Sequence, residues 1–183
     1  GTCTWSTPVI IPDTKKITLQ GAGVDSTIIT KDDGLVALSL GASGSRVTGK
    51  QFINGYIIVD GDGWRIDHWK FYCASTFNEG VYVRGNRADS HPTGLVDSCV
   101  FYNTRVLVHG WAGELAHVFW SQPLNLGSGR NVVYVENNIF TATVHSNAVD
   151  GHLGGRYVFR YNTVNDTYLE AHSVQSNHRA VRS

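Results

Sequence analysis

The chain has 183 residues, 42% hydrophobic and 16% charged, with Lys+Arg and Asp+Glu balanced at 15 each. That length suits one domain, residues 1–183, with room for a sizeable core. The balance leaves no basic patch long enough to grip a nucleic-acid backbone, and no run of about 18 apolar residues offers a membrane span.

Residues 1–16 read as an N-terminal lead-in or cap. Within it, Thr7-Pro8-Val9-Ile10-Ile11-Pro12-Asp13 is a short strand ending in a turn. The opening Gly1-Thr2-Cys3 lacks a charged segment followed by an apolar one, so no signal peptide is read in this sequence. Ile17-Thr18-Leu19-Gln20-Gly21-Ala22-Gly23 is a strand running into a glycine turn, and Ser26-Thr27-Ile28-Ile29-Thr30 is another strand. No stretch of about 12 or more residues carries the i, i+3, i+4, i+7 apolar pattern of a helix. The nearest candidate, residues 111–120, reads as a short helical turn in a loop. Cys3, Cys73 and Cys99 are too few for a disulfide framework, and an odd count leaves at least one thiol free or intermolecular. Asn165-Asp166-Thr167 matches a glycosylation acceptor.

Two blocks recur and alternate. The first is Val59-Asp60-Gly61-Asp62, Val83-Arg84-Gly85-Asn86, Val108-His109-Gly110-Trp111, Val149-Asp150-Gly151-His152 and Leu169-Glu170-Ala171-His172. Its polar second residues are separated by 24, 25, 41 and 20 positions. The second runs Val47-Thr48-Gly49-Lys50-Gln51-Phe52, Ile66-Asp67-His68-Trp69-Lys70-Phe71, Val96-Asp97-Ser98-Cys99-Val100-Phe101, Val135-Glu136-Asn137-Asn138-Ile139-Phe140 and Phe159-Arg160-Tyr161-Asn162-Thr163-Val164. Each cycle is one unit of roughly 20 to 30 residues that cannot bury its apolar side alone, whereas stacked units share a continuous core. The predicted class is all-β, a parallel solenoid of about six to seven coils, with equivalent residues ~4.8 Å apart. Phe52, Phe71, Phe101 and Phe140 become an internal aromatic stack, and Asn138 and Asn162 become turn hydrogen-bonders. The last six residues, His178-Arg179-Ala180-Val181-Arg182-Ser183, read as the start of another coil, with Val181-Arg182 echoing Phe159-Arg160. The C-terminal end is therefore expected to be uncapped, as in a segment of a longer helix, or covered by another subunit through end-to-end or homo-oligomeric assembly.

The strand at residues 17–23, the repeated Val-Glu-Asn-Asn-Ile-Phe type block and Gly155-Arg156-Tyr157-Val158-Phe159-Arg160-Tyr161-Asn162 together resemble right-handed parallel β-helix proteins of the pectin-lyase-like superfamily. The resemblance covers most of the chain and specifies fold better than activity. It implies an extracellular, secreted protein whose partner is a polysaccharide. That superfamily spans polysaccharide lyases, glycoside hydrolases, carbohydrate esterases and phage tailspikes. No single catalytic family is matched, so no catalytic residues are carried over.

Residues flanking an inward apolar position point outward. Asp60, Arg84, His109, Asp150 and Glu170 are therefore expected in one outward column, with Asp62, Asn86, Trp111, His152 and His172 beside it. The long step between His109 and Asp150 implies an insertion, residues 111–129, carrying Trp111, Glu114, His117, Trp120 and Gln122 and overhanging this strip. Three chemistries fit. A uronate lyase needs a group to neutralise the substrate carboxylate, Arg84 or Arg156 or a Ca²⁺ held by carboxylates, and a base, His109 or His152. A retaining glycoside hydrolase needs two carboxyl groups about 5 Å apart, here Asp150 and Glu170. A binding module, fibre, adhesin or tailspike segment needs no chemistry at all. In each, Trp111 and Trp120 stack on sugar rings, and Asp60, Asp62, His172 and Arg156 contact the glycan. The spacing of His109, Asp150 and His152 fits no standard zinc motif. Asp67, Asp97, Glu136 and Arg160 recur too regularly for a site, and Arg160 is expected to pair with Glu136 one coil away. His68 and His145 read as surface or turn residues.

Overall fold

The computed structural model describes residues 1–31, 35–74, 78–84, 93–109, 132–152, 155–172 and 181–182. Among these residues there is no helix. In chain order the strands are β1 (Thr2–Trp5), β2 (Val9–Ile11), β3 (Thr18–Gln20), β4 (Ile28–Lys31), β5 (Val36–Leu40), β6 (Arg46–Ile53), β7 (Tyr56–Val59), β8 (Trp64–Tyr72) and β9 (Asn78–Arg84). They continue as β10 (Gly94–Asp97), β11 (Val100–Tyr102), β12 (Thr104–His109), β13 (Val133–Glu136), β14 (Ile139–Thr141), β15 (Asn147–His152), β16 (Arg156–Arg160), β17 (Thr163–Asn165), β18 (Tyr168–His172) and β19 (Val181–Arg182).

They form two sheets. One runs β1-β4-β6-β8-β10-β13-β16-β19, with β3, β11, β14 and β17 attached; the other runs β18-β15-β12-β9-β7-β5-β2. Successive strands of each sheet pair in parallel, for example β7 with β9 and β9 with β12. From β4 onward the chain therefore crosses from one sheet to the other and back in every repeat, an arrangement consistent with a β-helix-like solenoid. The insertion at 111–129 and the helical turn at 111–120 lie outside the described residues. At the C-terminal end β19 does add to the sheet beside β16, but Val181 stands opposite Arg156, not opposite Phe159.

The second sequence block holds register through all five copies. Val47 pairs with Ile66, Ile66 with Val96, Val96 with Val135 and Val135 with Phe159. Val47, Ile66, Val96 and Val135 are wholly buried. The aromatic stack forms as expected: ring centroids are 6.3 Å apart for Phe52–Phe71, 5.0 Å for Phe71–Phe101 and 4.5 Å for Phe101–Phe140. Parallel in-register pairing produces this, because a residue type repeated once per coil must lie over itself. Room for the rings comes from a small residue on the other sheet: a Cβ on Gly80 would meet the Phe101 ring at 2.8 Å and the Phe71 ring at 2.9 Å. Gly80 has no pairing partner where β9 meets β12, so the register shifts between Arg105 and Val106.

The third residue of every copy is left-handed: Gly49 (φ 71), His68 (φ 54), Ser98 (φ 54), Asn137 (φ 54) and Tyr161 (φ 59). This conformation bends the strand, and it costs roughly 1–2 kcal/mol outside Gly and Asn. Side-chain amides hold the bend. Asn138 Oδ1 accepts from the Cys99 amide and Asn162 Oδ1 from the Asn138 amide, both at 2.8 Å. Nδ2 of Asn162 donates to the Val135 carbonyl at 2.8 Å, and Nδ2 of Asn138 to the Val96 carbonyl at 3.1 Å. The turn role expected of both asparagines is what they perform.

The second residue of the block builds a row of ion pairs on the outer face. Arg46 and Arg65 both reach Asp67, at 2.7 and 2.8 Å, Arg65 reaches Asp97 at 2.7 Å, and Arg160 reaches Glu136 at 2.6 Å, as expected. Asp67 is fully buried, which by itself favours its neutral form; hydrogen bonds from Arg46, Thr48 and His68 outweigh that and hold its carboxyl well below the usual range. These charges serve the stack, not a site.

Candidate functional site

The site is assembled on the seven-stranded sheet, from the ends of β9, β12 and β15. Their inward rows, Ile57–Val81–Val106–Val149 and Val59–Val83–Val108, are wholly buried and fix the pleat. Alternation then turns Tyr82, Arg84, Arg105, Leu107, His109, Asp150 and His152 to the outer face. Tyr82, Arg105, Leu107, His109, Asp150 and His152 line one concavity of about 290 Å³. That is just below the usual range of ligand pockets, about 300–1,000 Å³.

The register corrects the expected columns. Asp60, Arg84 and His109 are consecutive, as Val59, Val83 and Val108 are paired. The next residue in that column is His152, not Asp150, because His109 pairs with His152 and Leu107 with Asp150. His172 follows, opposite His152, and Glu170 lies opposite Asp150. The expected alignment was thus two residues out across the long connection. A two-residue slip leaves every side chain on its face, so hydrophobic alternation gives no warning of it.

The geometry of the corrected site is specific. The imidazoles of His109 and His152 lie 4.9 Å apart between centroids, tilted by 34°. Tyr82 packs edge-on against His109 at 5.8 Å, and burial pushes its phenol pKa upward. Arg84, 43% exposed, makes a two-pronged pair with Asp60 at 2.7 and 2.8 Å, which reinforces its charge. Asp150 was expected to face solvent but is only 2% exposed. Arg105 covers it: Nη1 donates to Asp150 Oδ2 at 3.0 Å and to Asn147 Oδ1 at 3.3 Å, and Nη2 donates to Glu79 Oε1 at 2.9 Å. Asn147 in turn donates to the Glu170 carboxylate. One connected network therefore runs from Glu79 on β9 to Glu170 on β18.

Other expected residues fall elsewhere. Asp62 lies past the end of β7, where it lines a separate concavity with Asp13, Ser39, Ser43 and Asp60. Arg156 begins β16, on the other sheet. Trp111 and Trp120 lie outside the described residues. Among the described residues, no group of three or more His, Cys, Asp or Glu is placed to hold a metal ion. Cys3, Cys73 and Cys99 form no disulfide, and burial pushes the Cys99 thiol up to about 12, which removes it as a nucleophile. Sequence reasoning missed Arg105, Tyr82, Glu79 and Asn147. The signal for Arg105 was the strict alternation of Thr104-Arg105-Val106-Leu107-Val108-His109, which turns Arg105 to the face of His109.

The chain matches no protein-family model, no curated protein and no solved structure.

Proposed function

We propose that this chain is a right-handed parallel β-helix of the pectin-lyase-like kind, that it works outside the cell, and that it cleaves an extended uronate polysaccharide by β-elimination. The observation that carries this reading is the run Arg84, His109, His152, in register on consecutive strands of one sheet. In the proposed reaction Arg84 meets the substrate carboxylate and so acidifies the neighbouring C5–H. An imidazole of the His109–His152 pair takes that proton. The C4–C5 double bond forms as the C4–O bond breaks, and the departing oxygen takes a proton from Tyr82, whose phenol burial keeps protonated. Hydrolysis by an Asp150–Glu170 pair is disfavoured, because Asp150 is buried beneath Arg105, which donates to it, and Asn147 donates to Glu170.

Incubation with a panel of uronate polysaccharides, with and without Ca²⁺, followed by absorbance of the unsaturated product, tests the reading. His109→Gln or His152→Gln should reduce the rate by about 10²–10⁴-fold. No signal from any polymer overturns elimination. New reducing ends without that absorbance would point to hydrolysis, and retention of a glycan without cleavage to a binding fibre, adhesin or tailspike segment.

A further inference from the structure

We propose that Arg105 is a positioning residue of this site: it fixes the Asp150 carboxylate next to the His109–His152 pair and so sets the pH range in which that pair accepts a proton. The inference rests on the reading of the imidazole pair as the base.

Arg105 is central by construction. It stands on β12, the middle strand of the three that build the concavity, and its side chain is 17% exposed. Its two terminal nitrogens reach in opposite directions, Nη2 to Glu79 on β9 and Nη1 to Asp150 and Asn147 on β15. A planar fork with fixed donors can span neighbouring strands in this way, and a lysine ammonium cannot. Asp150 is two residues before His152 on one strand and therefore on the same face. With Arg105 in place, Asp150 is a compensated charge. Without it, the concavity loses a positive charge while the Asp150 carboxylate stays beside both imidazoles, which favours their protonated form to higher pH.

Among the described residues, the other groups around the imidazoles do not supply this control. Tyr82 is an uncharged edge contact to His109. Arg84 and Asp60, in the same column, compensate each other. Glu79 is tied to Arg105, and Glu170, next to Asp150, is tied to Asn147. His172 follows His152 in register on β18. Arg105 is thus the cation whose removal unbalances the concavity.

The test is a histidine titration by NMR on the full chain, with the ring Cε1–H signals assigned through His109→Gln and His152→Gln. Arg105→Gln should raise the titration midpoints of the pair by about one pH unit. Arg105→Lys, which keeps the charge, should return most of that shift. If Arg105→Gln does not fold, Asp150→Asn gives the opposite sign, a lowered midpoint. The double variant Arg105→Gln/Asp150→Asn should lie near the parent. Unmoved midpoints in both single variants would show that Arg105 is only a structural tie, and would overturn the proposal. Shifted midpoints with no unsaturated product from any uronate polymer would uphold the role of Arg105 and sink the lyase.

Discussion

The Arg105–Asp150 pair makes an asymmetric stability prediction. Asp150 has a side chain that is 3% exposed, whereas Arg105 is 17% exposed and keeps a second carboxylate, Glu79, at 2.9 Å. Removing the aspartate charge therefore leaves the arginine with a partner, while removing the arginine takes a cationic partner from a buried carboxylate in the wall of the concavity. Breaking a buried pair so that one charge is left uncompensated costs about 3–5 kcal/mol. Asp150→Asn, by contrast, gives up a charge-assisted hydrogen bond and retains an acceptor oxygen, which should cost about 1–2 kcal/mol. Arg105→Gln should thus be the more damaging by about 2 kcal/mol. In the double variant, the coupling energy should be at least ~1.5 kcal/mol, because both changes act on one ion pair. Urea denaturation at pH 7, followed by circular dichroism, measures all three. Equal costs for the two single variants, or additive costs in the double, would refute the reasoning. So would a fully tolerated Asp150→Asn, which is the outcome expected of an aspartate in open solvent.

Within the aromatic stack, Phe101→Leu and Phe140→Leu should couple by about 0.5–1.5 kcal/mol in a double-mutant cycle, since these rings are 4.5 Å apart at 8°; additive costs would mean that the stack is only volume. Gly80→Ala should cost about 1–3 kcal/mol by overpacking, because its Cβ would meet two Phe rings below 3.0 Å; a neutral result in denaturant unfolding would contradict that geometry. Asp67 has a depressed folded pKa, so its contribution is present above the ordinary aspartate value of about 3.9 and is lost as pH falls below it. The acid limb of a stability–pH curve should therefore flatten in Asp67→Asn, and an unchanged limb would rule Asp67 out as its source. Against a thiol reagent at pH 8, exposed Cys3 should react promptly, with buried Cys73 and Cys99 reacting only on unfolding; rapid loss of two or more thiols would show that the core opens.

Much of the stack was legible because parallel pairing converts sequence repetition into spatial repetition. Val47, Ile66, Val96 and Val135 fall into one buried row, and the Phe rings fall into another, for the same reason that they recur in sequence. The site was legible in part of its membership, His109, Asp150 and His152, but not in register. His109 and His152 were singled out, but His152 was placed beside the column of His109 and Asp150 within it, since a strand pattern of period two cannot distinguish a shift of two residues. The left-handed bends at His68 and Tyr161 were hidden for a different cause: neither residue type announces φ > 0, and only their alignment with Gly49 and Asn137 shows that the position demands it. The burial of Asp150 was illegible because it depends on Arg105, a long side chain arriving from the neighbouring strand.

The two outer faces divide the work of the fold. On the larger sheet, opposite charges on neighbouring strands neutralise one another from repeat to repeat, as in Arg46–Asp67–Arg65–Asp97 and Arg160–Glu136. Such pairing tolerates little change at Asp67 and Arg65, each of which serves two neighbours. On the smaller sheet, the strands end at Arg84, His109 and His152, and the connections that follow differ widely in length: 9 residues to Gly94, 23 to Val133 and 3 to Arg156. In-register stacking fixes the strand ends to within one strand spacing, about 4.8 Å, while leaving connection length unconstrained. A row of polar residues at those ends is thus held rigidly by Val83, Val108 and their neighbours beneath, and can vary in composition without disturbing them. That is the physical reason to look for chemistry on this edge rather than along the more conspicuous row of ion pairs, and it makes the imidazole pair with its Arg105–Asp150 support the first place to test.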